Sequence, residues 1–226
     1  MLVGVLLAAG ASSRMGKDKA LVKAGAMSFA VHGVRHLWAA CDDVVVVLGA
    51  RAAAVQGALT KEFEALVASG GLHEDLAHAH GHGARGLECQ FAVHSGWKRG
   101  MLSSAQAGLE VALPRKPQAL LVLPVDHPHV ASITVAALGN VLLQALAANK
   151  SARERAKFSY ALVPRFQGHR GHPLALTPAL ARAIVADREA DSLADAVRRN
   201  ARLVGYLDVA DAGVIANVNA VAGKKR

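Results

Sequence analysis

The stretch that most constrains this chain lies at its start. Leu2 to Ala9 carries nothing polar and runs straight into Gly10-Ala11-Ser12-Ser13. A short apolar run bounded by small residues predicts a buried strand opening into a loop. Small side chains leave the loop's backbone N–H groups unshielded, and Arg14, Lys17 and Lys19 follow closely. Concave amides rimmed by fixed positive charge suit a phosphate. Two familiar phosphate loops fail on spacing. GxxxxGK[ST] wants its glycines closer together and a hydroxyl after the lysine, whereas five residues separate Gly10 from Gly16 and Asp18 follows Lys17. GxGxxG is absent after this strand, which argues against the usual dinucleotide-binding turn of oxidoreductases.

The rest of the chain is compatible with one α/β domain. Its 226 residues suffice for a substantial core, and its apolar content, 53%, comes with only 4% aromatic residues, so small side chains must fill the interior. No apolar run approaches the roughly eighteen residues needed to cross a bilayer, and Leu2–Ala9 lacks a basic leader. The expectation is a soluble cytoplasmic protein with no membrane partner. Cys41 and Cys89 offer neither metal spacing nor a disulfide framework. The formal charge of +9 is scattered rather than gathered on one helix, and part of it is the tail Lys224-Lys225-Arg226. With few aromatic residues for stacking, a polyphosphate substrate explains that charge better than nucleic acid does.

Strand and helix patterns alternate along the chain. Met27 to Ala40 places Val31, Val34, Leu37 and Trp38 at helical spacing, and Val44–Leu48 is a β-branched run apolar throughout. With the first strand they make a βαβ unit. A second helix is expected from Arg51 to Val67, interrupted near Gly57. Cys89–His94, Gln118–Leu123, Tyr160–Val163 and Leu203–Leu207 read as strands, Ile133–Ala148 and Ser192–Asn200 as helices, and Lys150–Lys157 as a charged connection. The expected architecture is a three-layer α/β/α, Rossmann-like domain over residues 1–226 with a mostly parallel mixed sheet. His32 and His36, one turn apart, have the spacing of a metal pair but no evident third ligand, so a packing role is expected. Residues 69–86 form a His- and Gly-rich insertion holding His73, His78, His80 and His82 beside Glu74 and Asp75. It reads as an exposed loop, with capture of a divalent ion as the alternative.

Three later stretches bring polar groups to element ends. Gly100 precedes Ser103 and Ser104 at the start of a helical pattern, where free amides and the dipole favour anions and where the serines alone would be caps. Asp126, in Pro124-Val125-Asp126-His127-Pro128, follows a buried strand and so falls at the carboxyl edge of the sheet, where open α/β folds bind ligands. In Pro164–Leu176, Gly168 and Gly171 permit close backbone approach, and His169, Arg170 and His172 can meet a phosphate; the plain reading is a basic hairpin turn.

Residues 7–21, LAAGxSxRMGxxKAL, resemble the signature of the MobA-like nucleotidyltransferases, which include the molybdenum cofactor cytidylyl- and guanylyltransferases. The resemblance continues in order. Trp97 to Leu109 is similar to the family's W..GM..S...GL segment, and Asp126 to the acid of its GD.P motif, with Val125 for Gly and His127 before the proline. Pro164 to Leu176 is similar to the P...G.RG.P..L turn of the cytidylyltransferase branch. The family closes with NxNTPED or DxDTPED; here Asn217 and Asn219 remain, without the Thr, Pro and acids.

This resemblance implies a nucleotide-diphospho-sugar transferase type of fold and Mg2+-dependent transfer of a nucleotidyl group from an NTP to a phosphorylated acceptor. It implies catalytic roles for Arg14, Lys19 and Asp126, and nucleotide contacts from Leu7, Ala8, Ala9, Gly10, Ser12, Ser13, Arg14, Lys19, Gly100, Ser103 and Ser104. It further implies metal contacts at Asp126 and Asn219, and acceptor contacts from His127, Gly168, Arg170, Gly171 and His172. Ala9 points to CTP, because the guanylyl branch reads LAGG where this chain reads LAAG; with the RGHP turn, that favours molybdopterin as acceptor. The implied protein is a monomer or one in transient contact with a molybdoenzyme or its chaperone. Transfer to a sugar or polyol phosphate, and a nucleotide-binding regulator without activity, are the alternatives.

Overall fold

The computed structural model describes residues 1–10, 18–70, 89–148 and 151–218. β1 (Leu2–Ala8) is buried at every residue. A short hairpin, β2 (Lys23–Ala24) with β3 (Met27–Ser28), leads into α1 (Phe29–Trp38), β4 (Asp43–Leu48) and α2 (Ala52–Ala68). β5 (Cys89–Val93), α3 (Met101–Ala112), β6 (Ala119–Pro124), α4 (Ser132–Ala147) and α5 (Ala152–Lys157) follow. β7 (Tyr160–Phe166), β8 (His169–Arg170), β9 (Leu174–Leu176), α6 (Pro178–Ala186), α7 (Leu193–Asn200) and β10 (Leu203–Asp208) complete the order.

The strands form one sheet in the order β10-β7-β9-β6-β1-β4-β5, with β8 paired to β7. Pairs β1/β4, β1/β6, β4/β5 and β7/β10 are parallel, whereas β9 runs antiparallel to both β6 and β7. Alternation sends Leu2, Leu6 and Ala8 of β1 to one face and Val3, Val5 and Leu7 to the other. The first face packs on α1, α2 and α4, and the second on α3, α6 and α7, so β1 is sandwiched as an apolar run must be. α3 lies tightly on β1 because Gly108 faces it; a Cβ there would sit 2.4 Å from Val5 Cγ1. This is the mixed, mostly parallel α/β sheet read from the sequence. Among the described residues no helix is long and apolar enough to cross a membrane.

Two local expectations are corrected. α2 runs unbroken through Gly57, where an added Cβ would meet nothing. One glycine costs a helix about 1 kcal/mol, and burial of Val55, Leu59 and Phe63 offsets it. The charged connection at 150–157 contains α5, whose start is closed by a capping box: Glu154 N–H donates to Ser151 Oγ at 3.1 Å and Ser151 N–H to Glu154 Oε2 at 2.9 Å. The histidine insertion lies almost wholly outside the described residues.

Candidate active site

Strand register assembles the site. Leu7 pairs with Pro124, and Val125 N–H donates to Leu7 O at 3.1 Å, so Asp126 stands level with the residues that leave β1. Leu7, Ala8 and Ala9 are buried and Gly10 is exposed. Ser12, Ser13 and Arg14 lie outside the described residues. The chain continues with Asp18, whose Oδ2 is 3.3 Å from Arg51 Nη1, and a single 3-10 turn, Lys19–Leu21, anchored by buried Ala20. From this turn Lys19 Nζ reaches Asp126 Oδ2 at 3.1 Å, both side chains less than one-fifth exposed (18% and 16%). Lys19 and Asp126 therefore meet beside the end of β1.

Two imidazoles form the wall beyond Asp126. His127 Nδ1 lies 3.4 Å from Gly213 O and its Nε2 4.0 Å from Asp126 Oδ1. The His172 ring meets it edge to face at 4.9 Å between centroids. Burial pushes the pKa of both down, that of His172 to about 4 despite the attraction of Asp126. Burial thus favours the neutral form of His172, whose ring packs on His127. Its Nδ1 is buried and makes no hydrogen bond among the described residues.

The carboxyl-terminal strap and α1 hold this wall in place. Asp211 Oδ2 accepts from Ala131 N and Thr134 Oγ1, both at 2.8 Å, and its Oδ1 accepts from Gly213 N at 2.8 Å, tying the strap to the start of α4. His172 N–H donates to Val214 O at 2.9 Å, and Val218 N–H to Asp126 O at 2.8 Å. Gly171 is required where the RG turn crosses the strap, since a Cβ there would lie 2.3 Å from Val214 O. Asn219 lies outside the described residues, one position beyond Val218. His36 braces the loop after Asp126, its Nε2 lying 3.0 Å from Pro128 O and its Nδ1 3.1 Å from Ser132 Oγ. Both ring nitrogens of His36 are thus engaged, and His32 Nε2 lies 2.9 Å from Ala24 O, so the pair serves in packing. Nothing in the local sequence marked Asp211 or His36 as supports of the site.

Beside the ends of β4 and β5 lies the start of α3. Gly100 sits at φ 101° as its N-cap, with no side chain capping the helix and no acid in the first turn. Ser103 Oγ–H donates to Gly100 O at 2.9 Å and Ser104 Oγ–H to the same oxygen at 3.3 Å, while His94 Nε2 lies 3.1 Å from Ser103 Oγ. Both serines are buried. Their hydroxyls are spent on the backbone, leaving the first-turn amides as the groups that can meet an anion. On the other side of β6, Gly168 (φ 82°) and Gln167 (φ 48°) turn the β7/β8 hairpin and bring Arg170 opposite Arg165. Lys19, Asp126, His127 and His172 thus form one cluster.

Among the described residues no three or more His, Cys, Asp or Glu side chains gather as a metal site. Among the described residues of this cluster, Asp126 is the one that offers a carboxylate. That donor set fits Mg2+, which takes one or two protein carboxylates and completes its shell with substrate phosphates and water.

An open, mostly parallel sheet with a lysine and a carboxylate meeting at its carboxyl edge defines a ligand-binding α/β protein. The chain belongs to the MobA-like NTP transferase domain family, whose profile matches residues 4–203, and it is by that membership a nucleotidyltransferase. No curated protein matches it. Among solved structures it is similar to Rv0371c from Mycobacterium tuberculosis H37Rv, at 20% identity over 92% of this chain and 87% of that one, with a TM-score of 0.63. Rv0371c has also been crystallised in complex with manganese, a form that matches at 18% identity over 92% and 88% of the two chains, with a TM-score of 0.58. A nucleotidyl transferase from Methanothermobacter thermautotroptrophicus matches at 18% identity, over 97% of this chain and 92% of its own, with a TM-score of 0.62. Molybdopterin-guanine dinucleotide biosynthesis protein A from Archaeoglobus fulgidus matches at 17% identity, over 92% and 83%, with a TM-score of 0.53. At these identities the likeness is one of fold.

Proposed function

We propose that this chain transfers a cytidylyl group from CTP to a phosphorylated small-molecule acceptor such as molybdopterin, releasing pyrophosphate. The observation that carries the reading is the meeting of Lys19 and Asp126, 3.1 Å apart, beside the end of β1. An acceptor-phosphate oxygen bonds to the α-phosphorus of CTP. The bond from that phosphorus to the oxygen bridging the β-phosphate breaks, and this oxygen leaves with pyrophosphate. No covalent enzyme intermediate is needed, because positioning and charge neutralisation supply most of the acceleration.

Lys19, joined by Arg14, balances the charge of the leaving pyrophosphate. Backbone amides of the loop from Ala9 onward, with Ser12 and Ser13, and of the α3 start hold the nucleotide, and Arg170 receives the acceptor phosphate. Asp126, joined by Asn219, would hold Mg2+, which when bound neutralises charge on the triphosphate; the manganese complex of Rv0371c supports a divalent ion in this fold. Ala9 and the RGHP turn at 170–173 support CTP and molybdopterin over other pairs. Pyrophosphate release from CTP and Mg2+ across a panel of phosphorylated acceptors tests the reading. Release that needs an acceptor and disappears in Asp126→Ala sustains it; tight CTP binding with no turnover on any acceptor would make the chain a nucleotide-binding regulator.

A further inference from the structure

The β7/β8 hairpin sets two arginines directly opposite each other, Arg165 against Arg170. Like charges facing across an antiparallel pair destabilise it unless each finds a partner. Arg165 has one: its Nε and Nη2 donate to the two carboxylate oxygens of Asp208 on the neighbouring strand at 2.6 and 2.8 Å. Among the described residues no acid lies within ion-pair distance of Arg170. Its guanidinium rests on the Tyr206 ring instead, 5.0 Å from the centroid, and Arg165 approaches the same ring at 5.5 Å. The fold therefore neutralises one guanidinium and holds the other, still charged and exposed, against an aromatic face.

This uncompensated charge is close to the site along the chain. Arg170 lies two residues, about 7 Å of extended chain, before His172, whose ring packs on His127 beside Asp126. The hairpin cannot drift from that position, because Gly171 N–H donates to Pro164 O at 2.9 Å and β9 continues into the sheet. An exposed guanidinium with its rotamer restricted by a ring and its neighbour locked to a carboxylate is preorganised for a bidentate oxyanion.

We infer that Tyr206, supported by the Arg165–Asp208 pair, is a positioning residue that holds Arg170 in place to bind the phosphate monoester of the acceptor. The inference rests on the nucleotidyltransferase reading for the identity of that ligand, but not for the presence of an anion site. Tyr206 acts through its ring face, so its hydroxyl is dispensable. Tyr206 is half-exposed at 39% on an edge strand, and its replacement leaves the core intact.

The test is calorimetric titration of inorganic phosphate into the full chain, with and without saturating CTP and Mg2+, for wild type, Arg170→Ala, Tyr206→Ala and Tyr206→Phe. CTP affinity is measured on the same samples. Loss of the ring is expected to weaken phosphate binding about 3- to 30-fold. Arg170→Ala should lose at least as much, Tyr206→Phe should stay within about twofold of wild type, and CTP affinity should be the same in all. Wild-type phosphate affinity in Tyr206→Ala, an equal loss in Tyr206→Phe, or indifference to Arg170→Ala would overturn the inference. Failure of wild type to bind CTP would strike the proposed reaction instead, and the nucleotide-free titrations would still decide the role of Tyr206.

Discussion

Around β1 the sheet is wholly parallel and β1 itself runs out into small residues, Ala8, Ala9 and Gly10, whereas around β7 an antiparallel strand intrudes and the edge is built from Arg165, Arg170 and Tyr206. The first region offers a ligand mainly backbone: strand-end amides, and the α3 first turn left open because Ser103 and Ser104 bond to Gly100. The second offers side chains held by other side chains. The difference has a physical cause. A triphosphate is common to every NTP and can be met by peptide N–H groups that any small-residue loop provides, whereas an acceptor is particular and needs groups whose type and position are chosen one by one. Asp126 and Lys19 sit on the seam between the two.

Cutting that seam gives the largest effect. Asp126→Ala is expected to lower pyrophosphate release at least about a thousandfold, the scale of losing a principal electrostatic group at a reacting centre, and to lower the urea midpoint only modestly by comparison, through loss of the carboxylate that the mostly buried Lys19 ammonium meets. A loss of only about tenfold would mean that Asp126 positions the loop and carries little of the chemistry.

Gly171→Ala strikes the side proposed to hold the acceptor. Its Cβ would lie 2.3 Å from Val214 O, a backbone atom that cannot swing away, so the strap or the RG turn must shift. Overpacking of this kind costs about 1–3 kcal/mol. The comparison predicts a lower unfolding midpoint and a raised acceptor KM with CTP affinity unchanged within about twofold. Equal loss of CTP affinity would show the two regions to be one mechanical unit.

The contrast also explains what could be read in advance. β1, β4 and β6 were legible because apolar runs such as Val44–Leu48 have few alternatives to a buried strand, and Asp126 because a polar residue just past such a run has a known place on the sheet. Gly100, Ser103 and Ser104 were found at a helix start, but the direction of their hydroxyls depends on His94 and Gly100 in three dimensions. α5 and α6 carried ordinary start signals, Ser151 with Glu154 and Thr177 with Pro178, masked by charge in one case and by brevity in the other. The support of Arg170 by Tyr206 and of the Asp126 loop by His36 and Asp211 was not legible. These contacts join residues 36 to 96 positions apart in the chain, and nothing in the spacing of any one stretch encodes them.

Acid should loosen the seam before the rest. His36, His127 and His172 all have pKa values lowered chiefly by burial, so the folded state keeps them neutral where the unfolded chain, near its ordinary 6.5, takes up protons. Stability is therefore fully present above that value and declines as pH falls below it, by up to about 1.4 kcal/mol per pH unit for each histidine. Urea midpoints measured from pH 7.5 to 5 should fall with acid, and the gap between wild type and His36→Gln should narrow toward pH 5. Parallel curves would remove His36 from the account.

The smallest effect is the most discriminating for the nucleotide side. If the α3 start binds through its amides, Ser103→Ala and Ser104→Ala each remove only a hydroxyl already bonded to Gly100 O. Each should then cost about 1 kcal/mol of stability and change CTP affinity less than about threefold, since the first-turn N–H groups remain. Ser103→Ala should be the costlier, because it also strips His94 Nε2 of its partner at a buried site. A tenfold loss of CTP affinity with no change in the unfolding midpoint would mean that the hydroxyls turn to the nucleotide when it binds. The nucleotide side would then recognise its ligand by side chain after all, and the contrast between the two halves of the sheet would disappear.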